Sequence, residues 1–175
     1  MPVVSPVVRV SGDISLVDCP PRSVRLPLPA ADVLTAAARG RRPAIAELLR
    51  FTRVFVTGYC RAGLGTIRLS DELAVQVCEA VVGGWPAAHA AGRDFLEFAY
   101  STARRAVRVC RYEVPSCSPL TPLTDLQREI VTLRVVLGLS VSETAAALRI
   151  PMLEVHRDSG RALKTLSARP HRRIA

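Results

Sequence analysis

His156, Arg157, Arg161 and Lys164 fall on one side of a helical register near the end of the chain. Arginine and lysine in that arrangement neutralise phosphates, and either can also read guanine edges in a major groove. Arg104, Arg108 and Arg111, four and three apart with Arg105 beside them, form a second basic face. On charge alone such a face is more often just solvent-facing. The balance of the 175 residues, 24 basic against 15 acidic and a net charge of +9, points to a polyanionic partner. Residues 1–99 hold 11 basic and 9 acidic groups, and residues 100–175 hold 13 and 6. The second half is therefore expected to meet the polyanion, and nucleic acid is the first candidate.

Other chemistry finds no footing. There is no glycine-rich phosphate loop ending in Lys-Ser or Lys-Thr, no dinucleotide fingerprint and no H-E-x-x-H. Asp71 and Glu72 read as acids at a helix N-terminus, where the dipole favours them without a catalytic role. Cys19, Cys60, Cys78, Cys110 and Cys117 form no C-x-x-C pair, and His89, His156 and His171 are isolated. Such a scattered set predicts neither a disulfide framework nor a metal site, but free thiols packed as small hydrophobes in a reducing cytosol. No enzymatic activity and no cofactor are expected. No stretch reaches the roughly 18 apolar residues of a membrane span, and no secretory signal is evident, so a cytoplasmic protein is expected.

Helices must position these basic groups. Residues 1–29, with six prolines, read as a flexible leader. Asp32 opens a short helix that Gly40 closes. Pro43 starts a second, with Ile45, Leu48, Leu49, Phe55, Val56 and Tyr59 as its apolar stripe and Gly63 and Gly65 at its end. Ser70 opens a third, with Leu73, Ala74, Val77, Cys78 and Val81 inward, broken by Gly83, Gly84 and Pro86. A fourth begins near Asp94, with Phe95, Phe98, Ala99, Thr102, Ala106 and Val109 on one face. Residues 112–122 contain three prolines and read as a linker. Thr124 with Gln127, and Ser140 with Glu143, each spell a capping box. The first opens a helix with Ile130, Leu133 and Leu137 on one face, ended by Gly138. The second opens a short helix whose Ala145, Ala146 and Ala147 let a neighbour cross closely. A last helix, from about Pro151 to Leu166, turns Val155, Ala162 and Leu166 inward. Ser159 takes the remaining stripe position. Glu154 and Asp158 place negative charge on that helix. The expected fold is all-α: two small helical domains, residues 30–111 and 123–168, joined by the proline-rich linker, with a basic tail at 169–175. The second domain has the grammar of helix-turn-helix DNA binding, a plain three-helix bundle being the alternative.

The words L-Q-R-E-I-V-T-L-R-V-V-L-G-L-S-V-S-E-T-A-A-A-L, residues 126–148, resemble region 4 of bacterial RNA polymerase sigma factors of the extracytoplasmic-function group. The wording is nearest to actinobacterial sigma-D-like members. Residues 38–65, 70–86 and 92–111 resemble successive helices of region 2 in the same family. The resemblance implies core RNA polymerase and promoter DNA as partners. Region 2 would dock on the β′ clamp helices through Glu72, Leu73, Gln76 and Glu79. It would hold the −10 element with Arg104, Arg105 and Arg108, with Trp85 as a further candidate. Region 4 would touch the β flap and read the −35 element with His156, Arg157, Arg161 and Lys164. An anti-sigma protein is a frequent further partner of the family. Val75 stands where the family usually has a clamp-facing glutamine, and Arg149 where it often has glycine. The leading expectation is a promoter-directing sigma factor. The alternatives are a sigma-like regulator that binds polymerase or DNA without initiating, and an ordinary helix-turn-helix regulator that needs no polymerase.

Overall fold

The computed structural model describes residues 27–111, 120 and 122–168, and these contain helices and turns but no strands. The expected leader (beyond residues 27–29), the basic tail and most of the linker lie outside the described residues. Four helices come first: α1 (Ala31–Ala38), α2 (Arg42–Leu64), α3 (Ile67–Ala90) and α4 (Phe95–Arg111). Three follow: α5 (Asp125–Val131), α6 (Val141–Leu148) and α7 (Met152–Ser167), with a π-helical turn at Thr132–Val136 directly after α5.

In α2, Leu48, Phe51, Phe55, Val56 and Tyr59 are buried, a stripe at three- and four-residue spacing. Leu49, expected inside, is largely exposed. Pro43 sits in the first turn, and Gly65 closes the helix at φ +71°. Gly63 does not end it. A Cβ there would lie 2.6 Å from Val107 Cγ1, so this glycine serves the close approach of α4.

Three expectations for α3 and α4 are corrected. The third helix opens at Ile67, and the Ser70 hydroxyl lies inside it, donating to the Thr66 and Cys60 carbonyls. Gly83, Gly84 and Pro86 do not break it. Pro86 lies inside the helix on its exposed side, flanked by buried Trp85 and Ala88, whose burial offsets the lost backbone bond. The inner face of α4 is Phe95, Leu96, Ala99, Tyr100, Ala103 and Val107, turned about one residue from the expected stripe, and Val109 is 63% exposed. Asp94 caps it by accepting from the Glu97 N–H at 2.9 Å.

Both expected capping boxes form. Thr124 and Gln127 satisfy each other's backbone N–H groups, as do Ser140 and Glu143. Ser140→Ala is expected to cost about 1 kcal/mol, read as a lower midpoint in thermal denaturation. Arg149 ends α6 at φ +56°, a left-handed position that favours glycine. Arg149→Gly is expected to raise stability by about 0.5–1 kcal/mol, an increase in Tm of a few degrees.

The two groups of helices share one core. Leu133, Leu137, Leu139 and Ala147 belong to the same buried cluster as the inner faces of α1–α4. Gly58 admits Leu137, whose Cδ2 would lie 2.6 Å from a Cβ at that position. Ile130, Ala145 and Val155 pack separately and hold α5, α6 and α7 together.

Candidate nucleic-acid interface

The helices α6 and α7 form a helix-turn-helix. Buried Ala145 and Ala147 on α6 and Ala162 on α7 are small enough for neighbouring helices to come close, and Val155 fills the space between α5, α6 and α7, whereas Ala146, expected with the other alanines, is exposed. His156, Arg157, Arg161 and Lys164 are all exposed on α7, as expected. Asp158 is only 7% exposed and so is turned inward. Its carboxylate lies 3.6 Å from the Arg161 guanidinium. Its charge is therefore not presented to phosphate, whereas Glu154 is half-buried near the start of the helix.

Sequence reasoning missed Met152 and Leu153, which are exposed in the first turn of α7, Leu153 at 79%. For Leu153, two residues ahead of Val155 and off its stripe, the helical period carried the signal; Met152, three ahead of Val155, lies on the stripe and gave none. Apolar groups beside arginines suit a thymine methyl in a major groove.

On α4, Arg105 and Arg108 are exposed. Arg104 is half-buried, with its Nε 3.5 Å from Glu129 Oε1 and its guanidinium 5.9 Å from the centre of the Tyr100 ring. Glu129 also accepts a 2.7 Å hydrogen bond from the Tyr59 hydroxyl. This cluster of Tyr59, Tyr100, Arg104 and Glu129 draws on α2, α4 and α5, and its long-range pairing had no sequence signature. Burial pushes both tyrosine hydroxyls far above their ordinary titration range, and the Glu129 charge adds to it. A groove of about 550 Å³ runs between α4 and the end of α6, with Arg104, Arg105, Arg108 and Arg149 among its lining.

Trp85 is not part of any surface. It is 2% exposed, and its indole N–H donates to the Leu34 carbonyl at 2.9 Å.

Curated relatives point the same way as this arrangement. The chain is 34% identical over 170 residues to proteins named ECF RNA polymerase sigma factor SigD from Mycobacterium bovis and from two strains of Mycobacterium tuberculosis. The match covers 77% of this chain and 80% of each relative. The chain belongs to the extracytoplasmic-function sigma factors. No protein-family profile matches this sigma factor. Its fold resembles CnrH, solved in complex with the cytosolic domain of CnrY, with a TM-score of 0.65 and 21% identity. That likeness spans 78% of this chain and 94% of CnrH.

On α3 of this sigma factor, Glu72, Gln76 and Glu79 are exposed, and Leu73 is half-buried between them and the core. Glu72 meets Arg68 at 3.2 Å. Val75 is 59% exposed on the same helix. Asp71 and Glu72 lie in the second turn instead of at the helix start. Asp71 takes two 2.8 Å hydrogen bonds from Arg61, which hold its carboxyl below the usual range and tie α2 to α3.

Among the described residues no three His, Cys, Asp or Glu side chains are placed to hold a metal. Cys60 and Cys78 are buried, and burial pushes the Cys60 thiol up to about 12, which leaves it a packed, unreactive group. No helix among the described residues is long and apolar enough to cross a membrane.

Proposed function

We propose that this sigma factor binds core RNA polymerase and directs it to a set of promoters. The observation that carries the reading is the exposed basic face of α7, set on a capped helix-turn-helix in a chain 34% identical to SigD. In this reading α7 reads the −35 element with His156, Arg157, Arg161 and Lys164. The α4 arginines, Arg104, Arg105 and Arg108, hold the −10 strand. Glu72, Leu73, Gln76 and Glu79 on α3 face the polymerase clamp, and the region 4 half touches the β flap. The proposed domains are residues 30–111 and 123–168, one for each promoter element. An anti-sigma protein is a proposed partner, supported by the complex in which CnrH was solved. The protein acts where the polymerase is, in the cytoplasm.

Run-off transcription tests this directly. Purified protein is added to sigma-free core polymerase and a genomic promoter library, and the products are sequenced. Discrete start sites behind a shared pair of promoter elements are expected. Products identical to those of core alone would overturn the reading.

A second reading is a sigma-like regulator that binds polymerase or DNA without initiating. It draws on Val75, an apolar side chain exposed among the polar groups of the proposed clamp face. Val75→Gln is then expected to restore run-off product in an otherwise silent protein.

A further inference from the structure

We infer that Glu129 is an intramolecular latch that occupies Arg104 and holds the two helical groups in a closed, DNA-excluding form. The inference rests on the DNA-facing reading of α4 given above. Three observations converge on it.

First, the Glu129 carboxylate is the polar centre of the joint. It accepts from Tyr59 on α2 at 2.7 Å and lies 3.5 Å from Arg104 on α4, and its side chain is only 17% exposed. A carboxylate held there puts a negative charge beside the Arg104 Nε, where a DNA phosphate would otherwise lie. A phosphate reaching the Arg104 Nε must compete with it.

Second, α6 stands over the same face. Ala147, Leu148 and Arg149 form one wall of the groove whose other wall carries Arg104, Arg105 and Arg108. A single strand laid along α4 has exposed Arg105 and Arg108 within reach, while half-buried Arg104 lies behind the joint. Opening the joint frees Arg104 to complete the row.

Third, the joint is shaped for closure. Gly58 lacks the Cβ that would strike Leu137, and Leu133, Leu137 and Leu139 complete the core of the first four helices. Polar latch and apolar seat thus act on one movement. DNA affinity is then reduced by the fraction of molecules that stand open, so whatever opens the joint strengthens DNA binding.

The test compares full-length wild type with Glu129→Gln, Gly58→Gln, Glu47→Gln and the double variant Glu129→Gln with Arg104→Ala. Gly58→Gln opens the joint by bulk and adds no charge. Glu47→Gln, on an exposed side chain of α2, controls for the loss of one negative charge. Circular dichroism establishes that each variant keeps its helices. Small-angle scattering reads closure, and anisotropy of a labelled single-stranded DNA of mixed sequence reads binding. Both Glu129→Gln and Gly58→Gln are expected to enlarge the radius of gyration and to bind the strand about threefold to tenfold more tightly than wild type. Glu47→Gln is expected to show no enlargement and a smaller gain. The double variant is expected to open and lose the gain, because the gain acts through Arg104. An unchanged radius in both openers overturns the latch. Opening with no gain beyond that of Glu47→Gln overturns the masking of Arg104. Opening with no DNA bound by any variant, wild type included, supports closure by Glu129 and overturns the DNA-facing role of α4 instead.

Discussion

Replacing Arg157 and Arg161 together by alanine is expected to weaken binding to duplex DNA by on the order of 50-fold at 0.1 M salt. Each arginine that neutralises a phosphate displaces condensed counterions, with a slope of about −0.9 in log affinity against log salt. One such contact is therefore worth a factor of about 8 at 0.1 M, and two multiply. The measurement is a fluorescence titration repeated across a salt series. The slope should fall by about 1.8 in magnitude as the affinity falls. An unchanged slope would remove α7 from the interface. One structural coupling has to be controlled. Arg161 lies 3.6 Å from buried Asp158, so its removal leaves that carboxylate without its cation. Thermal denaturation of the variant separates lost stability from lost DNA contact. Arg157 has no ion pair among the described residues, so Arg157→Ala alone should show half the slope change and little change in stability.

The second large effect is on folding. Trp85→Ala is expected to cost about 3–5 kcal/mol, out of a total that is typically 5–15 kcal/mol. The indole fills the junction of α1, α3 and α4. Its ring meets Phe95 edge-on at 5.0 Å between centroids, and its N–H satisfies the Leu34 carbonyl. Truncation opens a cavity and removes a second hydrogen bond from the Leu34 carbonyl, which lies within α1. The midpoint of thermal denaturation followed by circular dichroism should fall by roughly 6–20 °C. Trp85→Phe retains most of the apolar contact but not the hydrogen bond, and should lose about 1–3 kcal/mol. A Trp85→Ala protein of unchanged midpoint but weakened DNA binding would return Trp85 to the nucleic-acid surface that its place in the sequence implied.

Much of this protein was readable from local signals. Thr124 with Gln127 and Ser140 with Glu143 declared two helix starts, because a capping box is closed by residues three apart. The outward row from His156 to Lys164 followed from the helical period once Val155 and Ala162 marked the inner side. Local signals failed where packing outweighed them. Gly83, Gly84 and Pro86 are helix breakers by propensity, yet α3 runs through them. Trp85 and Ala88 are anchored in the core, and a Cβ at Gly84 would sit 3.1 Å from Phe98. The inner face of α4 turned by about a residue because Tyr100 and Val107 have partners on α2 and the family of apolar choices along that helix was ambiguous.

The sequence by itself thus determined the helical class, the two capping boxes and the basic face of α7, all set by residues within a few positions of one another. Only the tertiary structure decided which charges remain available. Asp158 was buried, Asp71 was taken by Arg61, and Glu129 was carried 70 residues from Tyr59 in sequence to within 2.7 Å of its hydroxyl. Pairings across that separation depend on how amphipathic helices bury their apolar stripes together. No local pattern encodes the partner that burial brings to a charge.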